Sequence, residues 1–64
     1  MKLNGVERPE YDGCTVEHVA TSESLPVRGV AIAINSSVLR RREWSETVLG
    51  ENDAIEIVTA VAGG

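Results

Sequence analysis

A chain of 64 residues with a single cysteine, Cys14, cannot close an internal disulfide, so its fold must be held without a covalent staple. That length lies near the lower limit at which one apolar core suffices, and it leaves room for one domain. The core has to be aliphatic. Phenylalanine is absent and Tyr11 and Trp44 are the only aromatics, so Val, Ile, Leu and Ala must supply the bulk. Such a core has little room for an enclosed active-site cavity. Hydrophobic residues still make up 42% of the chain, too many for a disordered one.

Turn signals divide the chain into short elements. Met1 to Leu3 can open a strand, and Asn4-Gly5 is a two-residue hairpin signal because both positions tolerate positive φ. Val6 to Glu10 is the expected return strand, with Pro9 placing it at a sheet edge. Asp12-Gly13 makes the next turn. Thr15 is a candidate N-cap, Glu17 suits the positive end of a helix dipole, and Val16, Val19 and Ala20 recur at helical spacing. A short helix from about Thr15 to Glu23 is expected, ended by Ser24-Leu25-Pro26, with a turn at Arg28-Gly29.

The second half reads as strands. Val30 to Ile34 puts Val30, Ile32 and Ile34 on one face and Ala31 and Ala33 on the other. Asn35-Ser36-Ser37 turns the chain, and Val38 to Arg42 is the expected charged, exposed return strand. Trp44 to Leu49 is expected as a helical turn or loop with Trp44 and Leu49 tucked under the sheet. After a turn at Gly50 to Asp53, Ala54 to Val61 alternates Ile55, Ile57 and Val61 against Glu56, Val58 and Ala60. The order β-β-α-β-β-β predicts an α+β fold, the β-grasp: a four- to five-stranded mixed sheet with one short helix packed across one face. The apolar length of the last strand places it centrally.

The sequence holds few of the usual chemical constellations. The only histidine, His18, falls at a helix position where a surface or partly packed imidazole is the simple reading, and a Ser-His-Asp site has no other base. Cysteine and histidine together cannot supply four zinc ligands, and Glu51 and Asp53 are too few oxygens for calcium. No phosphate-binding glycine loop occurs. Cys14, just before the N-cap, reads as a small packed thiol, with a reactive nucleophile as the remote alternative. Ten acidic against six basic residues give a net charge of −4, which argues against a nucleic-acid partner and suits a basic docking surface on another protein. Arg40-Arg41-Arg42 reads as a solvated strand edge, with phosphate or partner binding as the alternative. The longest apolar run, VAIAI, is too short to span a bilayer, and with the lone cysteine this predicts a cytoplasmic protein without a membrane partner.

The end of the chain is the informative part. Gly63-Gly64 directly continues the presumed central strand, so a rigid sheet projects a short arm, Ala62-Gly63-Gly64. Residues without a Cβ can thread a narrow site on another enzyme. A terminal carboxylate is a poor electrophile until it attacks the α-phosphate of ATP and becomes an acyl-adenylate. A sulfur nucleophile can then displace AMP. The sheet face opposite the helix would carry Ala31, Ala33, Val58 and Ala60, with Glu56 among them. It is either ordinary surface or a flat partner-binding patch.

The segment GVAIAINSSVLRRREW, the strand AIEIVTAV and the terminal AGG resemble the ThiS family of ubiquitin-like sulfur carriers in thiamine biosynthesis. Ala33-Ile34-Asn35, Arg41 to Trp44, and Gly63-Gly64 carry the resemblance. It implies a ubiquitin-like β-grasp domain over residues 1–61 with a flexible tail over 62–64. It further implies that an E1-like enzyme adenylates Gly64, that a cysteine-desulfurase relay delivers sulfur, and that thiazole synthase consumes the resulting thiocarboxylate. This chain is then a protein co-substrate and no enzyme, has no cofactor, and leaves ATP and zinc to the activating partner. Carriers for molybdopterin or cysteine synthesis, and a ubiquitin-like interaction module with an idle tail, are the alternatives.

Overall fold

The computed structural model describes residues 1–26 and 28–59. Expectations for Ala60, Val61, Ala62, Gly63 and Gly64 therefore lie outside the described residues. Strand β1 is Lys2–Leu3 and β2 is Val6–Glu7. Helix α1 spans Val16–Ser22, and β3 (Val30–Ile34), β4 (Ser37–Leu39) and β5 (Ala54–Thr59) complete the sheet. The strand order is β2-β1-β5-β3-β4, with β5 in the centre, parallel to β1 and antiparallel to β3. The expected β-grasp order, mixed sheet and central last strand are all present.

The two hairpins turn on positive φ. Asn4 and Gly5 stand at 49° and 83°, as the Asn-Gly signal predicts. The β3–β4 turn uses Asn35 at 49° and Ser36 at 72°. Asn35 has a reason to be there. Its side chain donates to Asp53 Oδ1 (3.0 Å) and accepts from the Ala54 N–H (3.0 Å), while its own N–H donates to the Ala54 carbonyl (2.8 Å). It therefore ties the end of β3 to the start of β5. Ser36 makes no such contact, and a β-carbon in the left-handed region costs about 1–2 kcal/mol. Ser36→Gly is expected to raise the urea midpoint, with a gain of about 1 kcal/mol.

Two expected strands are shorter than the pattern suggests. Val6 to Glu10 keeps only two strand residues, because Pro9 opens a 3₁₀ turn over Pro9–Tyr11 rather than continuing an edge strand. Proline's fixed φ suits the first position of such a turn, and the turn buries Tyr11 in the core. Val38 to Arg42 likewise stops at Leu39, and Arg41–Glu43 forms a second 3₁₀ turn. The Glu43 carboxylate accepts from the Arg40 N–H (2.8 Å) and holds the entry to that turn. Trp44 is thereby carried under the sheet, with the Arg41 guanidinium 4.4 Å from its ring centroid.

One core lies between the helix and one sheet face. Met1, Leu3, Tyr11, Val16, Val19, Ala20, Ile32, Trp44, Leu49 and Ile55 are buried in it. Burial of each Val, Leu or Ile contributes about 1.5–3 kcal/mol. Helix α1 is short and rich in middling formers, so this packing sustains it. Thr15 caps it as expected, its side-chain oxygen accepting from the His18 N–H (3.1 Å).

The far end of α1 is anchored by charge. Glu23 accepts from Tyr11 Oη (2.5 Å) and from Arg8 Nη2 (2.9 Å), and Arg8 Nε also donates to Glu10 (2.7 Å). The hydrogen bond from Tyr11, then that from Arg8, holds the Glu23 carboxyl below its ordinary range. Arg8 does the same for Glu10, and the Gly50 N–H followed by the Asn35 amide for Asp53. Each folded-state pKa lies below its unfolded value, so the unfolded chain binds protons more readily as pH falls. The stability these groups contribute is complete above the ordinary carboxylate pKa values and is lost as pH falls through the lowered ones. The urea midpoint is thus expected to hold near neutrality and decline below about pH 4.5. Glu23→Gln should flatten that acid limb; a limb of unchanged steepness would show that this network does not set it.

Candidate functional site

Backbone alternation along β3 and β5 sorts their side chains onto two faces. The register Ala31↔Val58 and Ala33↔Glu56 puts these four residues together on the face away from the helix. Residue Ala60, expected beside them, lies outside the described residues. The structure adds a neighbour the sequence reading missed. Val38 stands opposite Ala33 across the β3–β4 ladder and is 75% exposed, while Val58 is 63% exposed. The signal for Val38 was the alternation within Ser37–Leu39, obscured by the three arginines that follow.

The resulting surface is flat, because Ala31 and Ala33 present only methyl groups. Exposed valines flank those alanines on both sides. Small side chains let a partner's backbone come close, and exposed valines offer apolar area. Glu56 is exposed in its midst and makes no ion pair among the described residues. This face can bind an apolar surface with a basic group set into it.

The other candidates are scattered. Cys14 is half-buried, its Sγ 3.9 Å from the Glu10 carbonyl, and His18 is exposed, its ring nearly perpendicular to that of Tyr11 with 6.3 Å between centroids. Arg40, Arg41 and Arg42 are exposed, but in the 3₁₀ segment rather than along a strand edge. The Asp53 carboxylate serves the turn, accepting from the Gly50 N–H at 2.7 Å. Among the described residues, no three histidine, cysteine or acidic side chains come together as metal ligands. No helix among them is long and apolar enough to cross a membrane. What the fold does assemble is a central strand, β5, whose outer face belongs to the Ala-Val surface and whose sequence runs on into residues 60–64.

Comparison with known proteins covers the whole chain. The model of the ThiS family matches residues 1–64. The sulfur carrier protein ThiS of Thermus thermophilus is 31% identical over 62 residues, spanning 97% of this chain and 95% of that one. Among solved structures, the thiamine biosynthesis protein ThiS from Geobacter metallireducens superposes with a TM-score of 0.77. That match covers 98% of this chain and 96% of the other at 21% identity, a likeness of fold.

Proposed function

The chain belongs to the ThiS family, and from that premise we propose that it carries sulfur on the carboxylate of Gly64 for thiazole formation in thiamine biosynthesis. The observation that carries this reading is the family match across residues 1–64, which includes Gly63-Gly64, and the sulfur-carrier relative, similar along nearly the full length, supports it. Residues 1–61 act as the rigid body and Ala62, Gly63 and Gly64 as the arm.

The chemistry follows from the carboxylate. A Gly64 oxygen attacks the α-phosphorus of ATP, the bond to pyrophosphate breaks, and an acyl-adenylate forms. Sulfide attacks the acyl carbon, AMP leaves, and a thiocarboxylate results. Where a cysteine-desulfurase relay supplies a persulfide instead, its terminal sulfur attacks, AMP leaves, and a thiol then reduces the acyl disulfide to the thiocarboxylate. Thiazole synthase takes up that sulfur and returns the carboxylate. The chain contributes the acyl group and a docking surface, so it serves as co-substrate. ATP, and any metal, are handled by the E1-like activating enzyme. Ala31, Ala33, Val38, Val58 and Glu56 support the docking, since they form one exposed apolar face with a central acid. The reaction is cytoplasmic in this reading.

The test is the intact mass of the chain before and after incubation with ATP, its activating enzyme and a sulfur donor. Exchange of one oxygen for sulfur is the expected result. An unchanged mass in the presence of a demonstrably active enzyme would overturn the reading, and the tail would then be idle.

A further inference from the structure

The first hairpin leaves part of the central strand uncovered. In β5 the odd-numbered residues turn their main-chain groups toward β1. Ile55 accepts from the Asn4 N–H (2.9 Å), and the Ile57 N–H donates to Asn4 Oδ1 (2.8 Å). The even-numbered residues turn toward β3, as the Asn35 N–H donating to the Ala54 carbonyl shows (2.8 Å). Strand β1 ends at Leu3, where the Asn4-Gly5 turn begins, and along β5 it pairs only with Ala54 and Ile55. Strand β5 continues to Thr59. The Ile57 carbonyl and the Thr59 N–H and carbonyl therefore project past the end of β1, and no described residue hydrogen-bonds to them. Asn4 substitutes its side chain for the first missing rung, and no described residue replaces the next.

A central strand with an open edge is unusual, because open edges invite pairing and are ordinarily blunted. Two of the usual guards are absent from the described strand: neither lysine nor proline lies within Ala54–Thr59, and Val58 and Thr59 are exposed. A cleft of about 460 Å³ is bounded by Lys2, Asn4, Gly5, Ala54, Ile55 and Glu56, the residues that precede this edge and the hairpin beside them. Glu56 has no ion-pair partner among the described residues.

We propose that the edge of β5 from Ile57 to Thr59 is a strand-addition site for an extended segment of the activating enzyme, with a basic side chain of that segment facing Glu56. This rests on the reading that Gly64 is the reacting end. Main-chain pairing beside β5 would fix the strand along its own axis, and the sequence from Thr59 to Gly64 follows directly from that fixed point. The apolar outer face orients the domain. The edge sets how far the tail reaches.

Amide hydrogen exchange on the unmodified chain, free and in complex with its activating enzyme and ATP, tests this, with Gly64 adenylation followed in the same samples. The Val58 N–H, paired with β3, serves as an internal reference. The expected result is that Thr59 exchange slows at least about tenfold in the complex while Val58 changes little. Thr59→Pro removes the donor on the open side. It is expected to raise KM in ATP–pyrophosphate exchange about tenfold with kcat unchanged, whereas Thr59→Ala retains the original KM. Gly64 adenylation with no change in Thr59 exchange would overturn the edge proposal and leave the carrier reading intact. Absence of adenylation with an active enzyme would overturn both. Thr59 protection in the chain alone that grows with its concentration would assign the edge to a second copy and overturn the proposal. Should Thr59→Pro fail to fold, as Trp44 fluorescence would report, the exchange result on the unmodified chain decides.

Discussion

Gly63→Val is expected to lower the rate of Gly64 adenylation by about a hundredfold or more while leaving the fold intact. A narrow channel that receives a backbone has no space for a branched side chain, and a displacement of about 1 Å at the reacting carboxylate costs a factor of about 10². The Val substitution also restricts φ at a position that, on the proposed carrier reading, would have to adapt to a second enzyme afterwards. Deleting Gly64 should do more, since it removes the acyl group itself and leaves Gly63 one residue short of the reaction. Pyrophosphate exchange with the cognate activating enzyme measures both. A Gly63→Val chain adenylated at the original rate would show that the glycine pair has no steric role. Glycine has no side chain to bury, so the urea midpoint should move little in either variant.

Trp44→Ala should be the most destabilising substitution in the core. The indole is 3% exposed and is the largest side chain in a core otherwise made mostly of aliphatic residues. Truncating a buried tryptophan costs about 3–5 kcal/mol. A chain of this size is stable by about 3–10 kcal/mol in all, so the variant is expected to be largely or partly unfolded in water. The loss is one of packing. Trp44 Nε1 is buried and makes no hydrogen bond among the described residues, so the ring contributes through its area and through the Arg41 guanidinium above it. Trp44→Phe, which keeps an aromatic ring and removes the unsatisfied donor, is therefore expected to lose far less. Urea titration followed by far-ultraviolet dichroism separates the two. Equal losses for Ala and Phe would refute the packing account.

The arginine triplet shows where a linear pattern misleads. Three charges after Val38-Leu39 read as the continuation of an exposed strand, yet the chain leaves the sheet at Leu39 and coils through Arg41–Glu43. Strand and 3₁₀ turn are both compatible with a run of solvated arginines. The 3₁₀ turn leads directly into Trp44, which is buried in the core. The same holds at Pro9, where burial of Tyr11 favours a turn over an edge strand. In each case a distant demand for burial overrode a local preference.

The sequence alone determined the element order, both hairpin turns, the Thr15 cap, the two-faced alternation of β3 and β5, and the central place of β5. Periodicity, positive-φ residues and apolar length are local properties of a chain, so they can be read without coordinates. Family membership was likewise legible, from the strand end at Ala33-Ile34-Asn35, the Arg41 to Trp44 stretch and the terminal glycines. Only the tertiary structure decided that Val38 joins Ala31, Ala33 and Val58 on one surface, because cross-strand neighbours depend on register between segments distant in sequence. It alone joined Arg8, Tyr11 and Glu23 into the network that anchors α1. And it alone exposed the edge of β5, since whether a strand is covered depends on where another one stops.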